Sequence, residues 1–266
     1  MNQRQLRSVI SLIVVVVVAV FGFFQNQKKG GGIGGGGTSC QDEFRAGQPG
    51  STTTGVKLLC RNEYISLYDP ARKVPLVVAE HLTSQELQGD TPRTDNFQPD
   101  PELASGARAE LTDYRASGYD RGHMAPAADF VAGQTQMTQS FYLSNMIPQN
   151  PEMNRGIWAG LEGATRACTK SLGELYVLTG PVFVGRARTI GPDNVAVPSS
   201  LYKIVVSGDS ARAFVLPNRT LPKTGDFTRY ETTVDAVQTA TGLSFFPAGG
   251  VNTAQDGKFC SGSYGG

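Results

Sequence analysis

The sequence is poor in imidazole. Two histidines, His81 and His123, occur in 266 residues, and His123 stands between an Asp-Arg-Gly run and a proline. Net charge is nearly absent too: 24 Lys+Arg against 23 Asp+Glu give +1. Residues 1–29 hold Arg4, Arg7, Lys28 and Lys29 and no acid, which leaves 20 basic and 23 acidic residues beyond them, a net −3. A slightly acidic body generates no long-range field for nucleic acid, so any polyanion binding must be local, through a few arginines and a metal ion. None of the four cysteines forms a C-x-x-C pair, which argues against a zinc ribbon or a thioredoxin-like site. The glycine-rich run "KKGGGIGGGGTS" (28–39) lacks a GK[ST] ending and a following helix, so it is not a phosphate loop. No internal repeat is present.

What is present indicates one globular domain behind an export segment. The apolar fraction, thirteen phenylalanines and nine tyrosines exceed what a disordered chain carries. Residues 9–24, "VISLIVVVVVAVFGFF", follow the basic "MNQRQLR". Sixteen apolar residues fall between a signal-peptide core of about 7–15 and a spanning helix of about 20. The bulky "FGFFQNQKK" offers no small-x-small cleavage site, which favours an uncleaved membrane anchor over a cleaved signal. Residues 1–29 are therefore expected to be anchor or signal, 30–39 a flexible linker, and 40–266 the domain. Its cysteines, Cys40, Cys60, Cys168 and Cys260, all lie beyond the apolar run, as an exported disulfide protein requires. Three connectivities are possible. The expected one is Cys40–Cys60 with Cys168–Cys260, the alternative being a free, buried Cys168 on a helix stripe.

Elements of both kinds are predicted. "NEYISLYDPARKVPLVVAEHL" (62–82) reads as two strands joined at Asp69–Pro70, and 174–183, 201–207 and 211–217 read as further strands. Residues 232–242 suit a short helix stopped by glycine. Long polar loops at 83–118 and 184–200 are candidates to carry function. The clearest helix starts after Asn150 as N-cap and Pro151 in the first turn, and closes at Lys170 and Gly173. Met153, Ile157, Leu161, Ala164, Cys168 and Leu172 form its expected buried stripe. Beside it, Asn154, Trp158, Glu162 and Arg166 recur every four residues, a row that spacing alone reads as a solvated face with an ordinary Glu162–Arg166 pair.

The two segments together carry more. "DRGHMAP" (120–126) followed by "SNMIPQNPEMNRGIWAGLE" (144–162) resembles the DNA/RNA non-specific endonuclease family, the ββα-metal nucleases. "PRTDNFQPDP" (92–101), "YVLTGPVF" and "VPSSLYKIVV" resemble further stretches of that family, so the likeness runs from about residue 60 to about 247. The resemblance implies an α+β fold with a central antiparallel sheet flanked by helices, here preceded by an N-terminal hydrophobic helix. It implies His123 as general base, Asn154 as the direct protein ligand to Mg²⁺ (or Mn²⁺), and Arg121 and Asp120 beside the base. It implies Glu162 as the acid that holds metal-bound water, Arg166 and Arg93 near the phosphate, and Asn145 in support.

The chemistry agrees with those residue types. A neutral imidazole takes a proton from water near neutral pH. Magnesium keeps several waters and suits one amide oxygen better than an all-protein cage. Arginines add bidentate phosphate contacts, and contacts to DNA or RNA backbone phosphates carry no sequence information. Two rival classes stand beside the endonuclease: a catalytically silent exported nucleic-acid-binding protein, and a metal-dependent phosphoesterase for small substrates. Without its neighbours His123 reads as a structural histidine, as His81 does within its strand, and Tyr119 reads as a packing residue that could stack on a base.

Overall fold

A computed structural model describes residues 43–254 and 257–264; the apolar run, the glycine-rich tether and Cys40 lie outside them. Along the chain come β1 (Lys57–Cys60), β2 (Ile65–Asp69), β3 (Val74–Thr83), β4 (Asp120–His123), β5 (Met146–Gln149), helix α1 (Ala159–Leu172), β6 (Glu174–Val182), β7 (Ser200–Ser207), β8 (Ser210–Pro217), β9 (Glu231–Thr232) and helix α2 (Val234–Thr241). Seven strands form one antiparallel sheet in the order β9-β8-β7-β6-β3-β2-β1. β4 and β5 form a separate antiparallel ribbon.

Burial explains why β3 is so nearly continuous in apolar residues. It lies between β2 and β6 and both its faces are covered. Val74 and Val78 join the cluster that contains Leu161, Ala164 and Cys168 of α1. Val77 and Ala79 join the opposite cluster with Val234 and Val237 of α2. The sheet is thus a middle layer with α1 on one face and α2 on the other. The β2–β3 turn falls at Asp69–Pro70 as expected. Asp69 Oδ1 accepts the backbone N–H groups of Ala71 and Arg72 at 2.9 and 3.3 Å, the local bonding that makes Asp a turn residue. Helix α2 is capped by the Thr233 side chain, which accepts from Ala236 N–H, and ends at Gly242 with φ 70°.

Three expectations need correction. The helix after Asn150 is not continuous: Pro151–Met153 is α-helical, Asn154–Trp158 is a π turn, and α1 follows. Gly156 sits in that turn, and a Cβ there would come within 2.9 Å of Lys223 Cα, so only glycine lets the two backbones approach so closely. The stripe also ends early, because Leu172 is 46% exposed while Met153, Ile157, Leu161, Ala164 and Cys168 are buried. Finally, the loop at 184–200 contains a short hairpin, Arg188–Ile190 with Val195–Val197, and the loop at 83–118 a single helical turn, Leu111–Tyr114. Isolated three-residue runs give too little period to announce themselves.

Cys168 of α1 bonds Cys260 across 92 residues of chain, which rules out the free-thiol alternative. Cys60 is disulfide-bonded as well, and its expected partner, Cys40, lies outside the described residues. The Cys168–Cys260 bond ties the C-terminal segment to α1, and the buried Tyr264 of that segment stacks on Phe214 of β8 at 5.6 Å. Closing a loop of that length is worth about 4–5 kcal/mol by chain entropy. The double variant Cys168→Ala/Cys260→Ala is therefore expected to lose about 2–5 kcal/mol of stability, read from urea unfolding with the other cysteines left intact.

Candidate active site

The site is built where the ribbon hands over to the helix. In the ribbon Asp120 pairs with Gln149 and His123 with Met146. Gln149 is followed at once by Asn150, whose side chain accepts the Met153 N–H at 3.1 Å and starts the helix. One turn later the chain has come back alongside Asp120. Asn154 Nδ2 donates to Asp120 Oδ2 at 2.9 Å, and Arg155 Nε donates to the same oxygen at 2.8 Å. Asp120 is thus the link between a residue of the strand and two of the helix. Its side chain is 14% exposed and committed to charge-assisted bonds from an amide and a guanidinium. The anchored amide nitrogen leaves Asn154 Oδ1 without a partner among the described residues.

Gly122 makes the ribbon possible. A Cβ there would lie 2.0 Å from Gln149 Oε1 and 2.6 Å from Gln149 Cβ, because the Gln149 side chain lies across the strand. The motif D-R-G-H therefore contains its glycine for a packing reason.

His123 and Arg121, two residues apart, share the other face of β4. The His123 ring meets Phe141 edge-on at 5.1 Å and Phe97 at 5.6 Å. The same two phenylalanines carry the arginines: Arg121 lies 4.1 Å over the Phe97 ring and Arg93 5.0 Å over Phe141. Cation–π contact of this kind is worth about 0.5–2 kcal/mol and fixes a guanidinium without consuming its hydrogen bonds. Arg93 Nε also donates to Asp95 Oδ1 at 2.6 Å. Sequence reasoning missed Phe97 and Phe141. Phe97 sits inside "PRTDNFQPDP", four residues after Arg93, and was a signal there to be read.

Burial, reinforced by the positive charges of Arg93 and Arg121, lowers the His123 pKa to about 3. The imidazole is neutral at physiological pH. Its Nε2 is buried with no hydrogen-bond partner among the described residues, which leaves Nδ1 as the nitrogen open to solvent.

Behind Asn154 the expected row breaks up. A π turn takes one residue more than an α turn, so a four-residue spacing through it does not hold one face. Trp158 is fully buried rather than flanking, while Glu162 and Arg166 stay half-buried. Arg166 does not pair with Glu162. Its Nη1 donates to Asp129 Oδ1 at 2.9 Å. Beneath them, on the same face of the sheet, lie Glu80 of β3 and Lys203 of β7, both 1% exposed. Lys203 Nζ donates to Thr179 Oγ1 at 2.7 Å and sits 5.4 Å from the centre of the Trp158 ring. Burial raises the Glu80 carboxyl well above the usual range, and neither of its oxygens has a partner among the described residues. Burial raises Glu162 to about 7, with Lys203 and Arg166 opposing and Asp129 assisting the shift.

The other residues named from sequence are structural. Asn145 is buried; its Oδ1 accepts Ala125 N–H, and its Nδ2 donates to the carbonyls of Ala125 and Ser140, holding the chain just after His123. His81 Nε2 donates to Glu174 Oε2 at 2.8 Å, and its ring stacks on Tyr176 at 4.2 Å.

Two outcomes follow. Gly122→Ala is expected to part β4 from β5, lowering stability by about 1–3 kcal/mol in chemical denaturation, as overpacking does. A raised carboxyl contributes stability below its unfolded pKa and loses it as pH rises through the folded value. Melting temperature should therefore fall between pH 5 and pH 8 more steeply for the native chain than for Glu162→Gln; equal slopes would refute the raised Glu162.

Comparison with known proteins accords with this geometry. The family model for DNA/RNA non-specific endonucleases matches residues 43–251. Nuclease C1 of Cunninghamella echinulata var. echinulata is 40% identical over 228 residues, covering 79% of this chain and 89% of that protein. Human mitochondrial endonuclease G is 34% identical over 207 residues, 72% of this chain and 70% of its own length. A chain from the crystal structure of an EndoG/EndoGI complex matches with a TM-score of 0.71 at 31% identity, over 76% of this chain and 91% of that one. The ribbon, the helix that follows it and the sheet behind them are the ββα-metal fold, and the chain is a hydrolase that belongs to the DNA/RNA non-specific endonuclease family.

Proposed function

We propose that this nuclease is an exported, metal-dependent enzyme that hydrolyses phosphodiester bonds within DNA and RNA, with His123 as general base and Asn154 as the protein ligand to Mg²⁺ (or Mn²⁺). The observation that carries this reading is one four-residue strand with a neutral imidazole at His123 and, at Asp120, a carboxylate that orients the Asn154 amide.

The donor set fits a hard divalent ion. Asn154 Oδ1 is an unpartnered amide oxygen, and Glu162 is a half-buried carboxyl one turn beyond the π segment. No group of three or more His, Cys, Asp or Glu among the described residues suits a metal, so an ion that retains its own waters matches better than one needing a cage. When bound, the ion would supply positive charge to the phosphate and the departing oxygen. The chain's residues do the rest. Asp120 orients the Asn154 amide, with Arg155 sharing its charge. Arg93 and Arg121, held on Phe141 and Phe97, grip the phosphate beside the base. His123 receives the proton of the attacking water at Nδ1. A substrate phosphate between the two arginines offsets the charges that help depress this imidazole, and so lifts its pKa toward the working range. These contacts read backbone only, which accounts for indifference to sequence and sugar.

Export is supported by the basic flank and the apolar run at 9–24, with the membrane as the partner of that segment.

Plasmid and RNA digestion by the purified protein is expected to require a divalent ion and to stop in EDTA; cleavage that persists in EDTA would remove the metal from the proposal. His123→Ala should lower kcat by roughly 10²–10⁴-fold with circular dichroism unchanged, the range for loss of a general base. Asn154→Ala should raise the Mg²⁺ concentration needed for half-maximal rate, and an unaltered titration would contradict its role.

A further inference from the structure

The residues before the D-R-G-H strand and the first two residues of that strand line an open cleft of about 400 Å³, formed by Leu111, Tyr114, Arg115, Tyr119, Asp120 and Arg121. Two of these belong to the active site: Asp120 holds Asn154, and Arg121 lies over Phe97 beside His123. Resting on the endonuclease reading above, we infer that this cleft is a binding subsite for a nucleotide of the substrate strand next to the scissile phosphate, with Tyr119 as the stacking surface for its base and Arg115 as the contact to its phosphate.

The lining has the two chemistries a nucleotide needs. Tyr114, Tyr119 and Leu111 supply flat or aliphatic surface, and Arg115 and Arg121 supply cations. The one acid in the wall, Asp120, is already matched by Arg155 and Asn154, so the cleft is left positive within a domain that is acidic overall. The volume is within the range of small-ligand sites, about 300–1,000 Å³.

Tyr119 is preset for stacking. Its ring packs against the main core, and Arg188 Nη2 donates to its hydroxyl at 3.1 Å, reaching across from the 188–197 hairpin. An aromatic ring already immobilised loses little entropy when a base covers it. Arg115, by contrast, is exposed at the rim and forms no ion pair among the described residues. Stacking accepts any base because every base has a π-face, so a subsite of this kind adds affinity without adding sequence preference. It also relieves a tension in the composition: affinity that the net charge cannot supply at long range comes from contacts close to the scissile bond.

The test compares a single-stranded oligonucleotide of about twelve residues with bis(p-nitrophenyl) phosphate, which has a scissile phosphodiester and no flanking nucleotide, using the full-length protein. Tyr119→Ala is expected to lower the ratio of kcat/KM for the oligonucleotide to that for the small ester about tenfold, the scale of one lost base–aromatic stack. Tyr119→Phe, which keeps the ring, should recover most of that loss. Arg115→Ala should reduce the slope of log KM against log salt by about 0.7, as loss of one single-strand phosphate contact does, a change that a structural role for this exposed side chain would not produce. If Tyr119→Ala melts early, the Arg115 measurement decides alone. A ratio and a salt slope both equal to the native values overturn the subsite while leaving the nuclease reading intact. A native protein inactive on both substrates overturns that reading and the subsite with it.

Discussion

The whole site depends on the carboxylate of Asp120. It joins the ribbon to the helix, bonding both Asn154 and Arg155. Without it the amide of Asn154 would be free to rotate, and either its oxygen or its nitrogen could face the reacting centre. With it, the nitrogen is fixed and the oxygen is presented. The register that brings this about is set elsewhere. Gly122 lets Gln149 cross the strand, and Asn150 starts the helix immediately after Gln149. A one-residue slip in the ribbon would move every one of these groups to the wrong face.

Electrostatics is organised in two tiers. On one side, guanidinium groups are held on phenylalanine faces, so Arg121 keeps its hydrogen-bond donors for an anion and Arg93 spends only Nε, on Asp95. They also keep His123 neutral, and burial, the larger influence, acts in the same direction. Beneath Trp158 lies a buried polar cluster of Glu80, Asp129, Lys203 and Arg166, with Glu162 at its edge. Three carboxyl groups face two cations there, and burial pushes the Glu80 carboxyl well above its usual range, which eases the excess of negative charge. A net charge of −3 beyond residue 29 therefore says little about the potential that a phosphate meets at the site. The arginines are concentrated where the D-R-G-H strand lies, and much of the acid is buried, paired or remote from it.

Much of the fold and the site was legible in residue patterns. The strands at 65–69, 74–83, 174–182, 200–207 and 210–217 have apolar and aromatic runs long enough to declare themselves, and α2 carries both a threonine cap and a glycine stop. His123, Asn154 and Glu162 stood out because of their company rather than their type. The exceptions have physical causes. The β4–β5 ribbon has no alternation to betray it: Met146–Gln149 is buried throughout, and only Gly122 is buried in the four residues of β4. The π turn is invisible to spacing because Met153, Ile157 and Leu161, the apolar residues within and on either side of it, are all buried as a regular helix would have them. Arg155 reads as an exposed helix charge until its partner across 35 residues is known.

By itself, then, the amino-acid order determined most of the local elements, the disulfide-capable cysteines, and the residue types at 123 and 154 on which the proposed base and metal ligand rest. These are matters of short-range sterics and of side-chain chemistry, and both are written in neighbouring residues. Only the tertiary structure decided which partner each charge takes: Asp129 for Arg166 rather than Glu162, Asp120 for Arg155, phenylalanine rings for Arg93 and Arg121. Pairing and pKa are set by burial and by distances between groups remote in the chain, and those quantities come into being only when the sheet, the ribbon and the helix pack against one another.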